Sequence, residues 1–237
     1  MGGWGRTISR ITQTQRGREL EEGSKRTIFN IHFPILFMTQ KRVWNNIAEE
    51  WYEFKINPSE KVLDFLKGKK GKILDLGCGA GRHLAKVKDG KMYLVDFSKN
   101  MIKLAKERAK QKEIQAEFNV AEITKLPFQK NFFDFAIAIA VFHCIKGEKN
   151  REKAVKELFR VLRPKAKVLI AVWNKNSKKF RNAKKERYVK WRDRGERYYY
   201  LFNAEEIYSL FKKIGFKIIK KYNPERNIIF VAQKPLR

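Results

Sequence analysis

The residues with the most chemical content form one run, LDLGCGAG, from Leu74 to Gly81. Gly77, Gly79 and Gly81 alternate with other residues, and an acid, Asp75, stands two positions ahead of them. Glycine at such positions lets the backbone turn sharply and approach a ligand closely. The pattern is not a phosphate cradle. A dinucleotide fingerprint reads GxGxxG, and a P-loop ends in Lys followed by Ser or Thr. Here the spacing is GxGxG and no such lysine follows. A second acid, Asp96, closes the next predicted strand. The two cysteines, Cys78 and Cys144, are too few for a disulfide framework or a zinc site, so no metal is expected and both thiols should be reduced.

These residues must be held by regular elements, and from Thr39 onward the pattern supplies them. Val43, Trp44, Ile47, Trp51 and Phe54 make one apolar stripe, predicting a helix over Lys41–Phe54. Asn57 and Pro58 stop it, and Pro58 can open a second helix through Leu66. Strands are predicted at Ile73–Leu76, Met92–Val95, Ala116–Val120, Phe133–Ala140 and Val168–Trp173. Helices fit between them at Gly81–Val87, Asn100–Gln111 and Arg151–Leu162. AIAIAV, from Ala136 to Val141, is continuously apolar, as in a strand covered on both faces of a parallel sheet. Alternation of this kind predicts a doubly wound α/β domain. Two late strands, Phe216–Tyr222 and Asn227–Ala232, are close enough to pair antiparallel.

Residues 1–37 read differently. Thr27–Met38 is apolar, but Asn30, His32 and Pro34 interrupt it and no small-residue cleavage site follows, so it makes a poor signal peptide. The expectation is an N-terminal extension, disordered or not native, with Met38 as an alternative start and the domain over 38–237. No apolar run approaches the ~20 residues of a membrane helix, so no membrane partner is expected, and the reduced thiols make a cytoplasmic setting the default expectation. Lys and Arg number 54 against 25 acids, a net charge of +29. So much self-repulsion suits a polyanionic partner, although a Lys-rich surface also serves solubility. From Arg163 to Arg197 there are 14 Lys and Arg against three acids, interleaved with Trp173, Phe180, Tyr188 and Trp191. Clustered charge with aromatic faces suits a phosphate backbone with unstacked bases; a solvated basic surface is the alternative.

The glycine run resembles the first motif of class I S-adenosylmethionine-dependent methyltransferases. LPFQKNFFDFAIA (Leu126–Ala138) and LFRVLRP (Leu158–Pro164) resemble the stretches before that family's fourth and fifth strands, with Lys165 and Ala166 replacing the usual glycine pair. The resemblance implies a Rossmann-like fold: a mostly parallel seven-stranded sheet with an antiparallel last strand and helices on both faces. It also implies S-adenosylmethionine as cofactor, held by Asp75, Gly77, Cys78, Gly79, Gly81, Asp96, Phe97, Glu122 and Ala140. Asp96 would take the ribose hydroxyls and Glu122 the adenine amino group.

Other segments resemble one branch, the tRNA methyltransferases that esterify 5-carboxymethyluridine at the wobble position, and the methyltransferase domain of AlkB-like tRNA hydroxylases. They are VWNNIAEEWYEFKINP (Val43–Pro58), IAVFHCI (Ile139–Ile145), AVWN (Ala171–Asn174), YVKWRDRGERYYYLF (Tyr188–Phe202) and NIIFVAQK (Asn227–Lys234). Two departures stand out: Lys55 replaces an Arg, losing a two-pronged carboxylate clasp, and Tyr200 replaces a common His. The resemblance implies that His143, Lys55, Trp173 and Arg197 form the catalytic group. Trp191, Tyr198 and Tyr199 would bind the substrate, with a basic acceptor-recognition insert around 174–200. It implies the tRNA anticodon loop as partner and a small zinc-binding activator protein as subunit. A carboxylate acceptor is ionised at neutral pH, so no strong general base is needed. A small-molecule methyltransferase of the quinone- or metabolite-modifying type shares the Asp75–Phe135 motifs and is the alternative.

Overall fold

The computed structural model describes residues 38–236, and the expectations for residues 1–37 lie outside them. Two short helices come first, α1 (Gln40–Asn46) and α2 (Ala48–Phe54), then α3 (Glu60–Leu66). The sheet strands are β1 (Lys70–Leu76), β2 (Lys88–Asp96), β3 (Ala116–Val120), β4 (Phe133–Ile139) and β5 (Leu162–Trp173). Helix α4 (Lys99–Gln111) follows β2, and α5 (Glu148–Val161) follows β4. After β5 come a hairpin of β6 (Glu186–Lys190) and β7 (Glu196–Tyr200), helix α6 (Ala204–Ile214), and strands β8 (Lys217–Lys221) and β9 (Asn227–Gln233).

Seven strands form one sheet in the order β3-β2-β1-β4-β5-β9-β8. The first five are parallel, and β9 runs antiparallel to both β5 and β8, as expected. Successive side chains on a strand point to opposite faces, so each inner strand feeds two cores. Leu74, Ala136, Val168 and Ile170 pack with Val155 and Leu158 of α5 and Phe211 of α6. Ile73, Ile137 and Leu169 pack with Val62 of α3 and Ile102 and Ala105 of α4. Strand order reverses at β1, between β2 and β4. A crevice opens at such a reversal, beyond the carboxyl ends of the strands. The turn after β1 and the 3₁₀ turn Phe142–Cys144 after β4 both lie there.

Several local expectations are corrected. Gly81–Val87 is not a helix. Gly81 has φ +73°, and the N–H groups of Gly81 and Leu84 donate three residues back, to Cys78 and Gly81, in consecutive tight turns. Strand β2 already begins at Lys88, leaving little chain for a helix. The helix predicted over Lys41–Phe54 bends at Ile47, whose φ of −95° and ψ of 1° leave the helical region. Strand β4 stops at Ile139 because Ala140 takes φ +62°. The basic insert contains the β6–β7 hairpin. Helix α6 was not anticipated, although Glu206 accepts the Asn203 N–H, Gly215 closes the helix at φ +110°, and Ile207, Tyr208 and Phe211 form its buried stripe.

Candidate active site

The cofactor end is built from backbone. Gly77 and Cys78 donate their N–H groups to Val95 O at 2.8 and 3.0 Å, fastening the loop to β2. At Gly77, φ is +70° and a Cβ would lie 2.4 Å from Val141 Cγ2, so only glycine fits. Gly79 N–H donates to Asp96 Oδ2 at 2.9 Å, and Ser98 N–H to Asp96 Oδ1 at 2.9 Å. Each of these oxygens keeps a second lone pair for a ligand hydroxyl. Asp75 is buried, and its Oδ2 has no partner among the described residues. Burial raises its carboxyl to about 7 and that of Asp96 to about 6, with Arg82 offsetting part of the effect at Asp75. Buried acceptors with spare capacity fit a ligand rich in hydroxyl and amino donors, as S-adenosylmethionine is.

Gly77, Cys78, Gly79, Asp96, Phe97 and Ala140 line this part of the cleft together. Gly81 lies behind it, where a Cβ would sit 3.1 Å from Ala105 Cβ. Glu122 is exposed and outside the lining; its neighbour Ile123 lines the cleft instead. Sequence reasoning passed over Arg82, Arg108 and Asn45. Asn45 Oδ1 accepts from Ser98 Oγ at 2.8 Å, tying α1 to the end of β2. Buried Arg108 donates to the carbonyls of Tyr52 and Lys55, fixing the end of α2 from which Lys55 projects. His83 also lines the cleft, with burial lowering it to about 3 and leaving Nε2 unpartnered among the described residues.

The adjoining chamber, with a volume of about 240 Å³, is built from side chains of separated segments. Trp44, Trp51, Lys55, Arg82, Ile139 and Ala140 line both spaces; His143, Trp173, Tyr199, Lys61 and Arg226 line only this one. His143 is buried in the 3₁₀ turn, and its Nδ1 accepts the Trp173 N–H at 2.9 Å. Nδ1 is therefore the unprotonated nitrogen and Nε2 carries the hydrogen. Burial lowers His143 to about 3, so the ring is neutral: a hydrogen-bond donor and a poor base. Trp173 stacks between Phe180 and Tyr199, with ring centroids at 4.9 and 4.1 Å.

The β6–β7 hairpin forms a wall behind Tyr199. Gln40 holds it to α1 by donating to Glu196 O at 2.9 Å and accepting from Tyr198 N–H at 2.8 Å. Strand alternation separates the tyrosines of β7. Tyr199 faces the chamber, whereas Tyr198 is fully buried in the opposite core and presents no face to a base. Trp191 does not line the chamber either. It packs on Trp51 and Phe54 and donates Nε1–H to Glu50 Oε2 at 2.6 Å. Arg197 is buried among Trp44, Trp51 and Trp191, and its Nη1 donates to the Tyr199 hydroxyl at 2.8 Å. It reaches the chamber through Tyr199. The exposed aromatic of the insert is Tyr188, 49% accessible, beside Lys146.

Among the described residues no group of three or more His, Cys, Asp or Glu could hold a metal, and no helix is long and apolar enough to cross a membrane.

Residues 74–170 match the methyltransferase domain family. Over 134 residues, 56% of this chain, it is 36% identical to the tRNA (carboxymethyluridine(34)-5-O)-methyltransferase alkbh8 of Xenopus tropicalis; the match spans only 20% of that protein. A solved S-adenosylmethionine-dependent methyltransferase of Methanosarcina mazei shares the fold, with a TM-score of 0.64 and 24% identity over 77% of this chain and all of that one. So does a Haloferax volcanii methyltransferase solved with the Trm112 methyltransferase activator, with a TM-score of 0.63 and 15% identity over 81% of this chain and 95% of that one. Residues 74–170 therefore carry a methyltransferase domain.

Proposed function

We propose that this S-adenosylmethionine-dependent methyltransferase esterifies the carboxylate of 5-carboxymethyluridine at the wobble position of tRNA. One observation carries the reading. The acceptor chamber is lined by Lys55, Lys61, Arg82 and Arg226, by no Asp or Glu among the described residues, and by a histidine that is neutral and weakly basic. Such a chamber cannot readily deprotonate a hydroxyl or amine, but it suits an acceptor that arrives as an anion. The cofactor supplies an electrophilic methyl group on a sulfonium. A carboxylate oxygen would form the new C–O bond with its own electron pair as the S–CH3 bond breaks, that bond's electrons staying on sulfur to leave a neutral thioether, and no proton moves.

The chain's residues orient and desolvate that carboxylate. Lys55 and Arg82, which line both spaces, draw it toward the junction. His143 Nε2–H donates to one carboxylate oxygen or to the uracil edge. Trp173 and Tyr199 offer a stacked aromatic wall for the base. Exposed Lys178, Lys179, Arg181, Lys184 and Lys190 around the hairpin, with Tyr188, suit the phosphates of an anticodon loop. The name of the Xenopus relative supports the same substrate, and the Haloferax complex supports a Trm112-type activator as partner. A tRNA-modifying role implies a cytoplasmic setting.

The test incubates the full chain, with such an activator, with tRNA carrying 5-carboxymethyluridine and isotopically labelled S-adenosylmethionine. Nucleoside mass spectrometry should find the label in the methyl ester. Label on no nucleoside, with cofactor bound, would overturn the reading, and label on a base nitrogen would replace it.

A further inference from the structure

Four cations face one small chamber whose lining holds no Asp or Glu among the described residues, Arg82 alone feeling a buried acid, Asp75. Lys55, Lys61, Arg82 and Arg226 all line it, and none makes an ion pair among the described residues. Like charges held together cost energy that a bound anion recovers. The repulsion registers on Lys55, whose ammonium is pushed below its ordinary range by burial and then by Arg82, Arg226 and Arg197. One carboxylate is a single charge and a small group, so it leaves most of this field and most of the space unanswered.

The cations fall into two pairs by position. Lys55 and Arg82 are partly buried and also line the cofactor cleft, at the junction where transfer occurs. Lys61 on α3 and Arg226, just before β9, are exposed and line the acceptor chamber but not the cofactor cleft, Lys61 also bordering a second surface cavity beside Asp64 and Tyr222. Two neutral polar side chains stand with the outer pair. Asn227 adjoins Arg226, and Ser59 precedes α3 with a hydroxyl that makes no capping hydrogen bond. A point-charge ammonium, a planar guanidinium and small polar groups around one opening suit a phosphate.

We infer that Lys61 and Arg226, with Ser59 and Asn227, form a second anion subsite that takes a phosphate of the acceptor nucleotide while Lys55 and Arg82 face its carboxylate. The enzyme thus reads its acceptor as a doubly anionic nucleotide, and a free carboxylic acid or nucleoside fills only the inner subsite. The identity of the base rests on the carboxymethyluridine reading; the phosphate subsite rests on the chamber itself.

Equilibrium binding to the full chain, saturated with S-adenosylhomocysteine, tests this with 5-carboxymethyluridine and its 3′,5′-bisphosphate as probes. The bisphosphate should bind roughly tenfold or more tightly, the scale of about 1.4 kcal/mol for one charge-assisted contact set. In the double variant Lys61→Gln/Arg226→Gln that preference should vanish. A control, Lys212→Gln/Lys217→Gln, removes the same charge at exposed positions outside the chamber and should keep it. Retained S-adenosylhomocysteine binding shows that each variant is folded. A preference that survives in Lys61→Gln/Arg226→Gln, or falls equally in the control, overturns the subsite. Methyl transfer is scored separately: absence of ester on tRNA counts against the carboxymethyluridine reading, whereas the binding comparison decides the phosphate subsite in either case.

Discussion

The two halves of the cleft are made of different materials. The cofactor half is contiguous backbone: a strand end, a glycine turn and one acid on the neighbouring strand, with N–H groups aimed at Asp96 and Val95. Asp75 and Asp96 are its buried carboxylates, and Lys55, Arg82 and Arg108 also line it. The acceptor half is assembled from α2, α3, the 3₁₀ turn, the end of β5, β7 and the start of β9, and its charges are cations. A cofactor with hydroxyl and amino donors would meet the Asp96 carboxylate in one half and an anionic acceptor would meet cations in the other, and the two meet where Lys55, Arg82 and Ala140 line both spaces. Variants in one half should therefore change cofactor binding, and variants in the other should change turnover.

The largest effect is expected at Asp96. Asp96→Ala leaves the Gly79 and Ser98 N–H groups without that acceptor and removes the carboxylate proposed to take the cofactor's hydroxyls, so S-adenosylhomocysteine affinity should fall about 100-fold or more by calorimetry, a few kcal/mol of lost charge-assisted bonding. His143→Ala should do the reverse, lowering kcat by roughly 10- to 100-fold while S-adenosylhomocysteine binding changes little. Equal loss of both would erase the division.

A smaller effect belongs to pH. The carboxyls of Asp75 and Asp96 are raised by burial to about 7 and about 6. A ligand that donates to the carboxylate form binds better as these groups deprotonate, so cofactor affinity should rise between pH 5 and 8, by up to about tenfold per unit for one coupled proton. Binding should release protons, measurable in buffers of different ionisation enthalpy, and Asp75→Asn should reduce the release. Stability of the ligand-free protein has the opposite sign. The folded state holds these protons more tightly than the unfolded chain, so this contribution weakens as pH rises from about 4 toward 7, and Asp75→Asn should remove its share.

The smallest effect separates two adjacent tyrosines. Tyr199→Phe loses the hydroxyl that accepts from Arg197 and should raise KM several-fold, on the order of one hydrogen bond. Tyr198→Phe removes a buried hydroxyl outside the chamber lining and should leave KM and kcat unchanged.

The same contrast explains what could be read beforehand. The placement of Gly77, Gly79 and Asp96 around one turn was legible because it is fixed by spacing along two neighbouring strands. The parallel sheet was legible from AIAIAV and the antiparallel close from β8 and β9. The Gly81–Val87 helix failed because the chain to β2 is short, a tertiary constraint invisible in local pattern. Tyr198 was misassigned because which face of β7 turns to the chamber depends on how its hairpin is seated, and Gln40 of α1, far away in sequence, bonds to that strand at Glu196 and Tyr198. Arg82 and Arg226 were missed because single cations in a chain this basic have no distinguishing spacing; only the fold gathers them.

The claim that the acceptor arrives already ionised is tested most directly by the single-turnover methyl-transfer rate at saturating cofactor and tRNA. With His143 held near 3 and no carboxylate in the chamber lining, the rate should show no rise from about pH 6 to 9. A tenfold rise per pH unit across that range would mean that a proton must be removed before transfer, and would contradict the account.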